Sequence, residues 1–259
     1  FSDRARSTSG GADGINNIEM VAQQSGSFTQ FTGNVFWGTN TITHNFYSYY
    51  PFKTGAFSYT QVPISLSSTQ TQVSNATSHL SSLDFLVSCP LSLSSTNLGA
   101  TGNSVSINTN FNHVFTLLEI RVTTTELSRN IKYLKITLPS GKIASITSAT
   151  IDISQSKPSS SENYILNNVV GNNIVKLLLN PNVPLTSDIE TTTKMYLMIN
   201  PSDLTSQAVE FELMSSDNYI YKFSKQGVKL LKGNRYRVDL NLDLFSKEKY
   251  VPVLSNPSN

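Results

Sequence analysis

Cysteine is nearly missing from this chain. Its 259 residues include one, Cys89, so no disulfide can close within the chain and cysteine-rich metal sites are excluded. Beside Pro90, Cys89 reads as a small half-buried residue. Charge is scarce as well: Asp, Glu, Lys and Arg make up 14% of the residues, against about 25% in a typical soluble domain. The 19 basic and 17 acidic side chains leave a net charge of +2, which points to no strongly charged partner. A nucleic-acid surface would need a clustered basic patch. Here Lys229, Lys232, Arg235 and Arg237 flank a turn and alternate along one strand. No apolar run approaches the ~18 residues that cross a bilayer as a helix. Histidine is limited to His44, His79 and His113, with no HxH or HExxH spacing, and there is neither a GxSxG elbow nor a phosphate-binding glycine loop. The carboxylates Asp84, Glu119 and Asp152 stand apart, and nothing singles out a pair of the kind a glycosidase holds across a cleft. The expectation is a protein without catalytic residues, metal or cofactor.

What is abundant points to strands. Ser and Thr make up roughly a quarter of the chain, far above ordinary usage, and Asn is frequent. Thr favours strands, and Ser and Asn favour turns. No 12-residue window shows a helical period. The longest strand-like stretch is Ser104 to Val122, SVSINTNFNHVFTLLEIRV. Val105, Ile107, Phe111, Phe115 and Leu117 alternate with polar residues, and then Leu118, Ile120 and Val122 take over. That change of phase at Leu117-Leu118 predicts a bulge, a bend, or burial on both faces. His113 falls in register with Phe111 and Phe115, which predicts a buried histidine with a satisfied ring. Asp84 is expected to bond a neighbouring turn.

The rest of the chain reads as short strands between polar joins. Residues 1–17 are Gly/Ser-rich and polar, an exposed lead-in containing Arg4 and Arg6. Ile18 to Ala22 is a first short strand. Phe28, Phe31, Val35, Phe36 and Trp37 form an apolar cluster, and Ile42 to Phe52 is an aromatic strand. The Ser/Thr/Gln-rich segment from Ser65 to Ser82 is too polar for a core and reads as a surface excursion. Leu83 to Val87, with Leu91 and Leu93 as its extension, is placed as a hairpin partner of the central stretch. Near the end, Tyr236, Val238, Leu240, Leu242 and Leu244 alternate with Arg237, Asp239, Asn241 and Asp243, the cleanest half-buried strand of all. Roughly six or seven strands precede residue 128 and roughly seven follow, a pattern of two β-sandwiches in tandem. The boundary is placed so that residues 1–128 form one domain and 129–259, with a short tail, the other. The chain starts at Phe1 rather than Met and shows no signal peptide, as expected of a processed or truncated chain.

Several motifs then coincide. Phe46-Tyr47-Ser48-Tyr49-Tyr50-Pro51-Phe52 is an aromatic strand ending in Tyr-Tyr-Pro. A Gln-containing polar stretch leads to Asp84-Phe85-Leu86-Val87, then Phe111-Asn112-His113 opens the run to Val122, and Gly233 to Val238 has a Gly-x-x-Tyr-x-Val pattern. Together, over about residues 42 to 244, these resemble the fimbrillin-like pilin and adhesin family of Bacteroidales. The resemblance implies an all-β chain of two tandem transthyretin-like (Ig-like) β-sandwiches. It implies export as a lipoprotein to the outer membrane, membrane contact only through a removed lipid anchor, and assembly with other fimbrial subunits. In such proteins an arginine-specific protease removes an N-terminal strand, and a strand of another subunit fills the groove left behind. Carried onto this chain, Arg4 and Arg6 become the processing candidates. Ile18, Met20, Ala22, Tyr250, Val251 and Val253 become the strand-exchange candidates, although Pro252 interrupts the last group. Many relatives end in a Trp-containing segment; this chain does not, which leaves a tip, anchor or accessory role beside that of a repeating stalk subunit. The rival reading is a surface carbohydrate-binding sandwich, with Tyr47, Tyr49, Tyr50 or Trp37 stacking on a glycan or on a host or bacterial surface protein. A third reading is an enzyme whose site is dispersed across loops.

Overall fold

The structure, a computed structural model, describes residues 2–3, 17, 19–23, 29–32, 43–55, 58–73, 76–94, 108–126, 129–154 and 165–250. Among them are strands β1 (Ser2–Asp3), β2 (Val21–Ala22), β3 (Phe31–Thr32), β4 (Thr43–Tyr47), β5 (Tyr49–Tyr50), β6 (Val62–Leu66) and β7 (Thr69–Val73). Next come β8 (Leu86–Ser88), β9 (Leu91–Ser94), β10 (Phe111–His113), β11 (Thr116–Thr123), β12 (Asn130–Thr137) and β13 (Ser145–Asp152). The last are β14 (Ile165–Asn172), β15 (Ile174–Pro184), β16 (Lys194–Ile199), β17 (Ser202–Ser215), β18 (Tyr219–Leu230), β19 (Arg235–Asn241) and β20 (Ser246–Lys249). Helix among the described residues is confined to short 3-10 turns such as Ser78–Ser82 and Leu242–Leu244. The all-β expectation holds.

Two compact units form, each from separate stretches of chain. The first takes Phe1–Ile64, Asp84–Val114 and Ser148–Val169, and the second Ser65–Leu83, Phe115–Thr147 and Val170–Asn259. The units therefore interleave in sequence, whereas the sequence placed a single boundary after residue 128.

In the first unit, β1, β4 and β9 form one sheet and β10, β8 and β5 another. Alternation sends Phe46 of β4, Tyr49 of β5 and Val87 of β8 into a core with Phe85, all at 8% exposure or less. The pairing placed between Leu83–Val87 and the central stretch is present: Phe111, Asn112 and His113 face Ser88, Val87 and Leu86 in antiparallel register. The extension through Leu91 and Leu93 is not, because β9 leaves β8 and pairs with β4 instead. A further sheet, β14-β13-β6, is made of strands that the division into units cuts, and Ile143, Ser145 and Gly171 fall in the second unit. A Cβ on Gly171 of β14 would lie 2.2 Å from Ser145 O and 2.6 Å from Ile143 Cγ2, so only glycine permits that approach.

The second unit is built on a three-stranded sheet, β16-β11-β19, and a six-stranded one, β20-β18-β17-β12-β15-β7. Leu118, Ile120 and Val122 of β11 and Met195, Leu197 and Ile199 of β16 share an apolar core with Leu134 and Ile136 of β12, Val175 and Leu177 of β15, and Phe211 and Leu213 of β17. Each such side chain contributes about 1.5–3 kcal/mol by leaving water.

The central stretch is not one strand. It breaks at Val114-Phe115, where the chain passes from the first unit to the second, and both residues are 1% exposed. The phase change at Leu117-Leu118 is not a bulge. β11 is buried on both faces, and Glu119 (4%) and Arg121 (1%) are as enclosed as Ile120. His113 is not inside. It ends β10 with its side chain 53% exposed, and its Nδ1 lies 2.8 Å from the carboxylate of Asp84, which holds this ring rather than a turn.

Candidate functional site

A β-protein that engages another extended chain does so at an open strand edge, so each edge matters. In the first unit β1 lies antiparallel on β4, Ser2 opposite Tyr47 and Asp3 opposite Phe46, with β9 on the other side of β4. Arg4 and Arg6 follow β1 directly but lie outside the described residues, as do Ile18 and Trp37. Of the strand placed over Ile18 to Ala22, Val21 and Ala22 form β2, paired with β3. Met20 is half-buried, Ala22 exposed and Val21 59% exposed.

The tyrosines separate. Tyr47 stacks flat on Tyr59, ring centroids 4.4 Å apart. Tyr49 packs its ring on Phe85, and its hydroxyl donates to Asn17 Oδ1; burial pushes its phenol pKa up. Its ring face is therefore used inside the unit. Tyr50 is the exposed one, at 38%. It sits in register with Leu86 and, one strand further, with His113.

In the second unit the three-stranded sheet has two very different edges. Along β16 the outward backbone groups are taken by side chains. Gln70 Nε2 donates to Met198 O at 2.7 Å, and Gln70 Oε1 accepts from Met198 N at 2.9 Å. Gln72 Nε2 donates to Lys194 O at 2.9 Å, and Gln72 Oε1 accepts from Tyr196 N at 2.8 Å. His79 Nε2 lies 3.0 Å from Tyr196 O, and since a carbonyl only accepts, the ring nitrogen donates. Gln70 and Gln72 are 2% and 0% exposed, so the segment read as a surface excursion is part of the packed unit. Its TQTQV alternation was the missed signal: Thr69, Thr71 and Val73 face solvent and the two glutamines face in.

β19, at the other edge, pairs with β11 in parallel and with no other strand among the described residues. Leu117 N–H donates to Asn234 O at 3.0 Å, which fixes the orientation of β19. In a parallel ladder the backbone groups of Asn234, Tyr236, Val238 and Leu240 then turn to β11, and those of Arg235, Arg237 and Asp239 turn to the free edge. On the face away from the core, Arg121 grips Asp239 with two hydrogen bonds of 2.8 and 2.9 Å and reaches Glu190 at 3.2 Å, and Arg235 pairs with Glu119. Arg237 remains 51% exposed and Asp239 43%.

The six-stranded sheet ends at β20, a short and fully exposed strand of sequence SKEK on β18. Such a charged edge discourages further pairing. Just beyond, Tyr250 donates its N–H to Asn218 O at 2.7 Å and is 43% exposed. Val251 and Val253 lie outside the described residues. Among the described residues no group of His, Cys, Asp and Glu is arranged to hold a metal ion, and no helix is long and apolar enough to cross a membrane.

The sequence matches the fimbrillin-like family from residue 2 to residue 251. The chain belongs to that family. No curated protein matches it. Among solved structures this fimbrillin-like chain is similar to a "putative cell adhesion protein" from Bacteroides uniformis, at 11% identity and a TM-score of 0.59, with 93% of this chain and 86% of that one covered. A second "putative cell adhesion protein", from Bacteroides ovatus, matches at 11% identity and a TM-score of 0.49 over 86% of this chain and 73% of that one. At such identity the first likeness is one of fold.

Proposed function

We propose that this chain is a non-enzymatic structural or adhesive subunit of a cell-surface fimbria, built as two transthyretin-like sandwiches and joined to its neighbours by strand exchange. It would reach the outer membrane as a lipoprotein precursor and work with other fimbrial subunits as partners. One observation carries the reading. The two-residue strand β1 covers the edge of β4 at Phe46 and Tyr47 and is followed at once by Arg4 and Arg6 in the sequence. Cleavage after either arginine separates β1 from the rest of the chain. The edge of β4 is then left with unpaired N–H and C=O groups beside Phe46, a buried core residue. A donor strand from another subunit restores those hydrogen bonds. Membership of the fimbrillin-like family and the fold shared with a Bacteroides protein named for cell adhesion support the same reading.

The test is limited digestion with an arginine-specific protease, followed by electrophoresis without boiling. A ladder of oligomers that appears only after cleavage, and is absent from an Arg4→Ala/Arg6→Ala chain, is the expected result. A cleaved chain that stays monomeric at every concentration contradicts it.

The exposure of Tyr50 favours a second, compatible activity, contact with a glycan through its aromatic side chain. Loss of glycan-array binding in Tyr50→Ala, with Tyr47→Ala unchanged, is its signature.

A further inference from the structure

The geometry points to a self-complementary interface: β19 pairs antiparallel with β19 of a second copy of this chain, about a two-fold axis through Val238. The two sheets of the second unit have four edges, β16, β19, β20 and β7, and β19 is the one that is both unsealed and long; β7 has five residues. The β16 edge is sealed by Gln70, Gln72 and His79. β20 is short and its side chains are charged or polar. β19 is seven residues long, and no described strand lies beyond it.

The backbone restricts which registers an added strand can take. Arg235, Arg237 and Asp239 turn their N–H and C=O groups to the open edge, so these residues form the hydrogen-bonded pairs of any antiparallel partner. For two identical strands, three nearby registers meet that condition. One sets Arg237 opposite Arg237, and one sets Asp239 opposite Asp239; like charges in such positions repel. The third is centred on Val238. It sets Arg237 opposite the second copy's Asp239 and the reverse, so both ends of the pair carry opposite charges. The same register sets Val238 against Val238 and Tyr236 against Leu240 on the core side. Within the chain Arg237 Nε reaches both carboxylate oxygens of Asp239 at 3.1 Å and Arg237 also lies 3.4 Å from Glu190, but both side chains of the Arg237–Asp239 pair are about half exposed, so in the dimer Arg237 exchanges its own Asp239 for that of the second copy while Arg121 still holds Asp239 from within. The sequence RYRVDLN is thus complementary to itself when reversed about its central valine. The arrangement is isologous and closes as a dimer. One strand pair buries less than about 1,200 Å², the class of weak and transient contacts, so the dimer is concentration-dependent.

This interface does not depend on strand exchange, and its test uses the uncleaved chain. Sedimentation velocity over roughly 10 μM to 1 mM is expected to show a monomer–dimer equilibrium, the range suited to a small interface. Arg237→Asp, which leaves the backbone intact and sets like charges opposite each other, is expected to weaken association by about tenfold or more. Arg237→Pro removes an N–H that points away from β11, so it spares the ladder of the monomer and deletes a hydrogen bond at each end of the dimer. In a Cys89→Ser background, Val238→Cys is expected to form an intermolecular disulfide readily. Non-hydrogen-bonded residues opposite each other have Cα atoms ~4.5 Å apart, within disulfide reach. Ser246→Cys on β20 is the control and should not cross-link. A strict monomer over the whole range, undiminished association of both Arg237 variants, or cross-linking of Val238→Cys no faster than of Ser246→Cys would each overturn the proposal.

Discussion

The side chain of Gln70 takes the place of a neighbouring strand for Met198, donating to its carbonyl at 2.7 Å and accepting from its N–H at 2.9 Å. Gln72 repeats the arrangement one step along β16, on Lys194 and Tyr196. A primary amide has the same donor and acceptor geometry as a peptide group, so two glutamines on alternate positions can satisfy a strand edge without leaving it open to another chain.

Replacing Gln70 by Leu keeps the apolar volume and strands both groups of Met198 in a site that water does not reach. Each unsatisfied buried group costs about 1–3 kcal/mol. For two groups the expected loss is therefore about 2–6 kcal/mol in urea unfolding. Thr71→Ala, on the exposed face between the two glutamines, should change stability by less than about 0.5 kcal/mol. Equal effects of the two substitutions would remove the sealing role.

Gly171→Ala forces a Cβ to within 2.2 Å of Ser145 O, and backbone on the facing strand is what must move. Overpacking of this kind costs typically 1–3 kcal/mol, and about 2 kcal/mol or more is expected here because the clash is with main chain. Thermal unfolding of the single variant decides it.

Burying Arg121 at 1% exposure is compatible with folding because Asp239 and Glu190 reach it. Asp239 supplies two hydrogen bonds and Glu190 one, from a side chain 70% exposed. Asp239→Ala should lower the unfolding midpoint clearly more than Glu190→Ala. The reverse order would mean that the guanidinium is held mainly by Glu190.

His113 carries a pH signature. The hydrogen bond to Asp84 raises its pKa above the ordinary 6.5, its charge acts in the same direction, and partial burial opposes both. A histidine whose folded pKa is raised binds its proton more tightly in the native state. Its contribution is therefore full below pH 6.5 and is lost as pH rises through the folded value. NMR titration should find the His113 ring titrating above the ordinary range in the parent chain and moving down in Asp84→Asn. An unchanged midpoint in that variant would show that the pair does not set it.

The strand content was legible in the alternation of apolar residues, and RYRVDLN in particular was read correctly as a half-buried strand. Its end was not. Asn241 closes β19 with its side chain accepting from Asp243 N, so Leu242 to Leu244 turn as a 3-10 segment and Leu244 ends 81% exposed. The charges of β11 hid its burial, because what makes Glu119 and Arg121 acceptable inside are Arg235 and Asp239, more than a hundred residues later. The same holds for Gln70 and Gln72. Their composition reads as solvent-facing, and only the arrival of β16 reveals the groups they satisfy. His113 went the other way, since a strand that stops at residue 113 no longer carries the phase of Phe115. Periodicity reports local geometry, and it cannot report which distant partner makes a polar residue acceptable in a core.

The most direct measurement on strand exchange is amide hydrogen exchange along β4 before and after cleavage at Arg4 or Arg6. In the intact chain the β1-facing amide within Phe46–Tyr47, the two residues opposite β1, should be protected, lose protection in the freshly cleaved monomer, and regain it in the oligomer, while the amides of Thr43–Phe46 that turn to β9 stay protected throughout. Protection of β4 that is the same in the intact chain, the cleaved monomer and the oligomer would contradict the removal of β1 as the event that opens this subunit to its neighbour.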